Sequence, residues 1–137
     1  MSHADTFRRY LHLYESRDLE AIAELFAEQI QLRDWNLAVV GKAAALAETR
    51  HNFESVESLR IEILSLFESA DGVAGELRIL INGRDELYVV DVLRFDADGR
   101  INQIHAYVGR GDLAAPQTAT VETLSGRRGS VPRRAPV

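Results

Sequence analysis

The spacing of apolar residues changes once along this chain, and that change limits the folds it can adopt. Near the N-terminus the apolar residues recur at i, i+3, i+4 and i+7, the stripe of an amphipathic helix formed by Phe7, Tyr10, Leu11 and Tyr14. From about residue 58 onward, apolar and polar residues alternate instead, as they do in half-buried strands. The sequence therefore predicts helices followed by a sheet, which is an α+β arrangement.

Three helices are expected before the main strands. The first spans residues 4–16 with Asp5 as its N-cap, and the second follows a predicted N-cap at Asp18 and carries Phe26 on its inner face. The third covers residues 41–53 and is rich in alanine, the best helix former. A short strand at residues 30–35 is predicted between the second and third helices.

Four longer strands complete the predicted sheet, with a hairpin turn at Asn82-Gly83 and a second tight turn in the segment DADGR. In the first of these strands, Ile61 and Ile63 are expected on one face and Leu64 and Leu66 on the other. The sequence thus predicts three N-terminal helices packed on one face of a curved, mostly antiparallel sheet. The four strands are placed at residues 58–69, 72–81, 86–95 and 101–110.

Composition narrows the class of protein. A chain of 137 residues with 46% apolar and 27% charged residues is typical of one globular domain. Without cysteine it can form neither disulfides nor a zinc–thiolate site, and its four histidines lack the spacing of metal ligands. No apolar run has the length of a transmembrane helix and no signal-peptide pattern is present, so we expect a cytoplasmic protein that does not interact with membranes.

Charge divides the chain into two parts. Residues 1–112 carry 12 Lys+Arg and 20 Asp+Glu, a net charge of −8, whereas residues 113–137 carry +3 and all three prolines. An acidic body argues against nucleic-acid binding. We predict a domain over residues 1–112 and a flexible C-terminal tail over 113–137 with no role in the chemistry.

An aspartate in the middle of an apolar strand is the first sign of function. In the segment YVVDVLRF, Asp91 points to the same face as Val89 and Leu93, toward the predicted core. Burial of an unpaired carboxylate is costly, so such a residue is either protonated or given dedicated partners. The opposite face, with Val90 and Val92, is also apolar, and a second subunit covering it would make the protein a homodimer.

Two further polar residues are expected to enter the same cavity. Tyr10 lies on the inner stripe of the first helix, and Asp34 lies at the rim, where the first strand ends. One carboxylate can remove a proton alpha to a carbonyl, while a phenol and a carboxylic acid stabilise the enolate oxygen. Each residue also has a structural interpretation: Tyr10 as a core tyrosine, Asp34 as a turn residue and Asp91 as a paired structural carboxylate.

Two segments, RYLHLYESRDLEAIAELFAEQIQLRD (9–34) and VVDVLRFDADGRINQIHAY (89–107), resemble the ketosteroid isomerases, within the wider NTF2-like and SnoaL-like group. The resemblance implies a cone-shaped NTF2-like fold. It places Tyr10 on the oxyanion-hole tyrosine, Asp34 on the general base and Asp91 on the aspartic acid that stays protonated. It implies a homodimer and isomerisation of a 3-oxosteroid or similar flat hydrophobic ketone through a dienolate, with no cofactor and no metal.

The resemblance also implies an apolar substrate pocket. Two alternatives stay open: a SnoaL-like polyketide cyclase or lyase that uses Asp34 for proton abstraction, and a non-catalytic NTF2-like module that binds small molecules. The residues predicted to line the pocket are Tyr14, Phe26, Trp35, Leu77, Ile79, Val89, Ile104, Ala106 and Val108.

Overall fold

The computed structural model describes residues 1–111, and these residues form three helices and one six-stranded sheet. The order of elements confirms the predicted α+β arrangement, with helices packed on one face of the sheet. The helices are α1 (His3–Glu15), α2 (Leu19–Leu25) and α3 (Lys42–Glu54), and the strands are β1 (Phe26–Arg33), β2 (Ala38–Val40), β3 (Leu59–Glu68), β4 (Gly72–Ile81), β5 (Asp85–Phe95) and β6 (Ile101–Gly109).

The first two helices begin at capping residues, one of which differs from the prediction. Ser2, rather than Asp5, is the N-cap of α1: its hydroxyl accepts a hydrogen bond from the Asp5 amide, while the Asp5 side chain accepts one from the Ser2 amide. This capping box satisfies two amides that the helix itself leaves without partners. The predicted cap of α2 is confirmed, because Asp18 accepts from the Ala21 amide at 3.1 Å.

The first strand starts earlier than predicted. Phe26 is its buried first residue and not part of the inner face of α2, and the strand covers Phe26–Arg33 instead of residues 30–35. The strand β2, which was not predicted, pairs antiparallel with β1 from Gln31↔Val40 to Arg33↔Ala38. Three residues are too few to show an alternating pattern, so the sequence gives no sign of this strand.

The sheet has the order β2-β1-β6-β5-β4-β3 and is antiparallel except where β1 runs parallel to β6. The turn predicted at Asn82-Gly83 joins β4 to β5, and both residues have positive φ values, 55° and 71°. Because β1 lies beside the last strand, residues from the start and the end of the domain meet in the middle of the sheet.

A β-bulge in β3 corrects the predicted orientation of Leu66. The pairing with β4 shifts register between Ile63 and Ser65, so that Leu66 lies opposite Gly75 on the inner face. One extra residue in a strand reverses the alternation beyond it. Leu66 therefore packs against the core, whereas Leu64 stays exposed.

The core lies between α1, α3 and the inner face of the sheet. Helix α1 approaches the sheet closely at Gly75, where a Cβ atom would stand 2.2 Å from a ring carbon of Phe7. The ring of Phe7 thus occupies the space that a side chain at position 75 would need.

No helix within residues 1–111 is long and apolar enough to cross a membrane. The predicted flexible tail, residues 113–137, lies outside the residues that the structure describes.

Candidate active site

Asp91 is fully buried in the middle of β5. Its exposed fraction is 0%, and its neighbours on the same face of the strand, Val89 and Leu93, are buried as well. Within residues 1–111, neither of its carboxyl oxygens has a hydrogen-bond partner. Buried polar groups are nearly always satisfied in native proteins, so a carboxyl group in this state is a candidate for a functional role.

The environment of Asp91 favours the protonated form. Burial, together with the charge of nearby Asp34, raises the pKa of Asp91 to about 7. Desolvation penalises the charged form, and a second carboxylate repels it. Asp91 is therefore able to carry a proton near neutral pH and to donate it in a hydrogen bond.

Tyr10 places a phenol in the same environment. It lies on the buried stripe of α1, is 1% exposed and packs edge-on against Tyr14 at a ring-centroid distance of 5.8 Å. Burial, with contributions from Tyr14 and Asp91, raises the pKa of Tyr10 well above its ordinary value. The phenol thus keeps its proton across the physiological range, as a hydrogen-bond donor must.

The register of the sheet places Asp34 near this pair. Arg33 pairs with His105, so Asp34, the next residue, lies beside Ala106, and Ala106 in turn pairs with Asp91. Since neighbouring strands are about 4.8 Å apart, the backbones of the two aspartates are roughly 10 Å apart across Ala106. Asp34 is close enough to Asp91 for its charge to contribute to the raised pKa of Asp91.

Asp34 also shapes the turn at the end of β1. Its Oδ1 accepts hydrogen bonds from the amides of Asn36 at 2.7 Å and Leu37 at 2.9 Å, as the structural interpretation of this residue expected. No hydrogen bond to its Oδ2 is found within residues 1–111. One oxygen therefore anchors the Asp34 side chain in the turn.

The nine residues predicted to line a pocket belong to the hydrophobic core or pack against it. Seven of them are buried, and Trp35 and Val108 are partly buried against the core. The buried seven are Tyr14, Phe26, Leu77, Ile79, Val89, Ile104 and Ala106.

Asn52 is a buried polar residue that was not predicted from the sequence. It lies on α3, is 4% exposed, and its Nδ2 donates a hydrogen bond to the Tyr14 hydroxyl at 3.2 Å. The sequence carries little signal for it, because the apolar residues of α3 do not form an amphipathic stripe that would mark its buried side.

Arg33 makes several contacts with residues of β6. On the outer face of the sheet its Nη2 donates to the Tyr107 hydroxyl at 2.6 Å and lies 3.0 Å from Nδ1 of His105. Its guanidinium carbon is 5.8 Å from the centre of the Tyr107 ring. These contacts join β1 to β6 on the side opposite Asp91.

A separate cleft of about 500 Å³ lies at the other end of β1, lined by charged residues that include Glu28, Lys42, Asp96 and Arg100. None of the three candidate catalytic residues lines it. In the part of the chain that the structure describes, no group of three histidine or acidic side chains is arranged to hold a metal ion.

Fold and site together define an α+β protein of the NTF2-like class with an acidic group buried on the inner face of its sheet. Residues 7–104 match the SnoaL-like domain family, and the chain belongs to that family. Among proteins of named activity, a steroid Δ-isomerase from Nocardioides simplex is 31% identical over 108 residues, which cover 77% of this chain and 88% of that protein.

Solved structures share the fold at low sequence identity. A SnoaL-like family member from Agrobacterium tumefaciens superposes with a TM-score of 0.69 at 15% identity, covering 79% of this chain and 97% of that one. An NTF2-like protein from Cytophaga hutchinsonii superposes with a TM-score of 0.67 at 15% identity, covering 80% and 91%. At these identities the likeness establishes the fold alone.

Proposed function

We propose that this protein is a cofactor-independent isomerase that moves a carbon–carbon double bond by proton transfer alpha to a ketone, as in 3-oxosteroid Δ5–Δ4 isomerisation. The observation that carries the proposal is Asp91, a fully buried carboxyl group with a raised pKa and no hydrogen-bond partner in the part of the chain that the structure describes. The relative from Nocardioides simplex, which is named a steroid Δ-isomerase, supports the same reaction class.

Each of the three residues has a distinct task in this reaction. The ionised carboxylate of Asp34 takes a proton from the carbon alpha to the ketone, which leaves a dienolate and a neutral Asp34. Tyr10 and protonated Asp91 donate hydrogen bonds to the dienolate oxygen. Asp34 then returns the same proton to the γ-carbon, and the product is the conjugated enone with no net change in the protein.

Burial makes the two donors effective. Hydrogen bonds that act on a developing charge are stronger in a site without water, and donors already in place need no reorganisation during the reaction. The separation of roughly 10 Å between the two aspartate backbones leaves room for a flat ring between their side chains. The substrate we propose is therefore a flat, hydrophobic, steroid-like ketone.

The membership in the SnoaL-like family favours one alternative, a cyclase or lyase that uses Asp34 on a polyketide-like carbonyl. A binding module without turnover is supported less well, because binding alone gives no reason to leave a buried carboxyl group without a partner. Substrate assays separate these functions.

The proposal is tested by an ultraviolet assay with 5-androstene-3,17-dione, because the conjugated product absorbs and the substrate does not. In Asp34→Asn the base is removed, while the amide oxygen can still accept the two hydrogen bonds of the turn. We expect turnover to fall by about 10²–10⁴-fold, the usual contribution of acid–base catalysis. A phenolic steroid that resembles the dienolate should still bind, because Tyr10 and Asp91 are unchanged.

Asp18→Asn is a matched control, because it makes the same change at the N-cap of α2, where asparagine caps equally well. Its turnover should equal that of the wild type. Asp91→Asn should be milder than Asp34→Asn because an amide still donates a hydrogen bond, whereas Asp91→Leu and Tyr10→Phe should weaken both turnover and phenol binding. Wild-type turnover in Asp34→Asn, or no turnover of any flat hydrophobic ketone by the unchanged protein, contradicts the proposal.

A further inference from the structure

Helix α3 carries two buried polar side chains, and they behave differently. Thr49 turns back to its own helix, with its hydroxyl donating to the carbonyl of Ala45 at 2.8 Å. Asn52 instead extends to α1 and donates to the hydroxyl of Tyr14 at 3.2 Å. Burial of an amide costs free energy unless it is hydrogen-bonded, so this contact between helices is a specific feature of the core.

Asn52 is one of the contacts that fix the orientation of Tyr14. The ring of Phe53 packs edge-on against Tyr14 at 4.9 Å and 74°, and the ring of Tyr10 does the same at 5.8 Å and 70°. Tyr14 itself is 1% exposed. A buried ring that packs against aromatic neighbours and is hydrogen-bonded to a buried amide has little freedom to rotate or shift.

Tyr14 in turn acts on Tyr10, which lies one helical turn before it. The two phenols are coupled, because the presence of Tyr14 helps to raise the pKa of Tyr10. Asn52 occupies an acceptor site on the Tyr14 oxygen, and a hydroxyl that accepts one hydrogen bond becomes a stronger donor of its own proton. Removal of the Asn52 amide would therefore change both the position and the polarity of the Tyr14 hydroxyl.

We propose that Asn52 is a positioning residue, which acts through Tyr14 to hold Tyr10 in the orientation that donates to the enolate oxygen. The inference rests on the proposed function, because it assigns a purpose to the orientation of Tyr10. It names a residue on α3 that does not itself touch the reacting atoms.

The test compares Asn52→Leu with Thr49→Val. Both remove one buried hydrogen bond from α3 with little change in volume, but only the first touches Tyr14. For Asn52→Leu we expect kcat to fall by about three- to tenfold with KM unchanged, which corresponds to the loss of one hydrogen bond. Affinity for 2-naphthol, a planar phenol that resembles the dienolate, should fall by a similar factor, while Thr49→Val should match the wild type in both measurements.

A double-mutant cycle separates positioning from general destabilisation. In a Tyr14→Phe background, Asn52→Leu should cause no further loss of naphthol affinity, because the path through the Tyr14 hydroxyl is already broken. If Asn52→Leu does not fold, Tyr14→Phe alone should reproduce the loss of affinity, since it removes the same hydrogen bond from the other side. Equal losses from Asn52→Leu in both backgrounds, or wild-type affinity in Asn52→Leu and Tyr14→Phe, would overturn the inference.

A spectroscopic measurement makes the inference independent of turnover. The ¹³Cζ resonance of Tyr10 in the naphthol complex should shift in Asn52→Leu and stay in place in Thr49→Val. If the protein binds naphthol but isomerises no ketone, the proposed function fails while the link from Asn52 to Tyr10 is still measured. If the protein isomerises ketones and this resonance does not respond, only the present inference fails.

Discussion

The environment of Asp91 couples the stability of the protein to pH. Its pKa in the folded protein is about 7, above the ordinary value of 3.8 that applies to an unfolded chain. The folded protein therefore binds this proton more tightly, and the stabilisation from it is fully present below about pH 4 and lost as the pH rises through 7. This difference in pKa corresponds to about 4 kcal/mol in the free energy of unfolding.

Comparison with Asp91→Asn tests this coupling, because asparagine has nearly the same shape and no titratable proton. The free energy of unfolding of the wild type, relative to that of the variant, should decrease by a few kcal/mol between pH 4 and pH 7 and stay constant above pH 8. Urea denaturation at a series of pH values measures the difference. A constant difference across this range would show that Asp91 is ionised in the folded protein, contrary to its assigned role as a donor.

At the level of elements, the register of three strands determines the shape of the site. Ala106 on β6 lies between Asp34 at the end of β1 and Asp91 on β5. In the proposed reaction, a substrate that reaches both carboxyl groups would pass over this methyl group, and the side chain at position 106 would limit the size of the ring that fits.

We therefore predict that Ala106→Leu reduces turnover by at least about tenfold. A single extra methylene in a hydrophobic pocket already changes the free energy of transition-state binding by about 1–3 kcal/mol. A smaller planar ketone should lose less activity than a steroid. Ala97→Leu, in the exposed turn between β5 and β6, is the control. Equal activity of both variants on the steroid would show that the substrate does not lie over Ala106.

The contact between α1 and β4 makes a second prediction at this level. At position 75 a Cβ atom would stand 2.2 Å from the ring of Phe7, whereas at Gly109 the nearest atom would be 3.9 Å away. We expect Gly75→Ala to lower the free energy of unfolding by about 1–3 kcal/mol, the usual effect of overpacking, and Gly109→Ala to leave it nearly unchanged. Urea denaturation compares the two, and equal stability of both variants would mean that α1 does not contact the sheet at this point.

At the scale of the whole molecule, the face of the sheet that the helices do not cover carries an apolar patch beside charged residues such as Glu76 and Arg78. Phe67, Val90 and Tyr107 are exposed on it by 68%, 39% and 50%. Ala74 lies between Phe67 and Val92 in one row across the strands, and Val90 lies opposite Tyr107 in the next row. These side chains therefore lie side by side. A contiguous apolar surface of this kind is typical of an interface.

We predict that two copies associate through this face, as the apolar character of Val90 and Val92 suggested. Sedimentation equilibrium at micromolar concentration should give a dimer for the wild type and a monomer for Val90→Lys, because a charge at the centre of an apolar interface is costly. Ala47→Lys, on the exposed side of α3, should remain dimeric. A monomeric wild type, or a dimeric Val90→Lys, would contradict this interface.

The sequence by itself determined the fold class, the boundaries of β4 and the inward direction of Asp91. These features depend on local periodicity and turn chemistry, and both can be read from neighbouring residues. Asp91 was conspicuous because strand alternation fixes which way a side chain points, whatever lies across the sheet. Tyr10 and Asp34 were candidates from their places on the first helix and at the end of the first strand, and the resemblance to the isomerase segments then assigned a role to each.

Only the tertiary structure decided which residues meet. The parallel pairing of β1 with β6 brings Asp34 to Ala106 across some 70 residues of chain, and no local pattern contains that register. The bulge that returns Leu66 to the inner face depends on pairing with β4, and the hydrogen bond from Asn52 to Tyr14 depends on how α3 packs on α1. Local periodicity fixes the direction of a side chain, but its partners are determined by packing between elements distant in sequence.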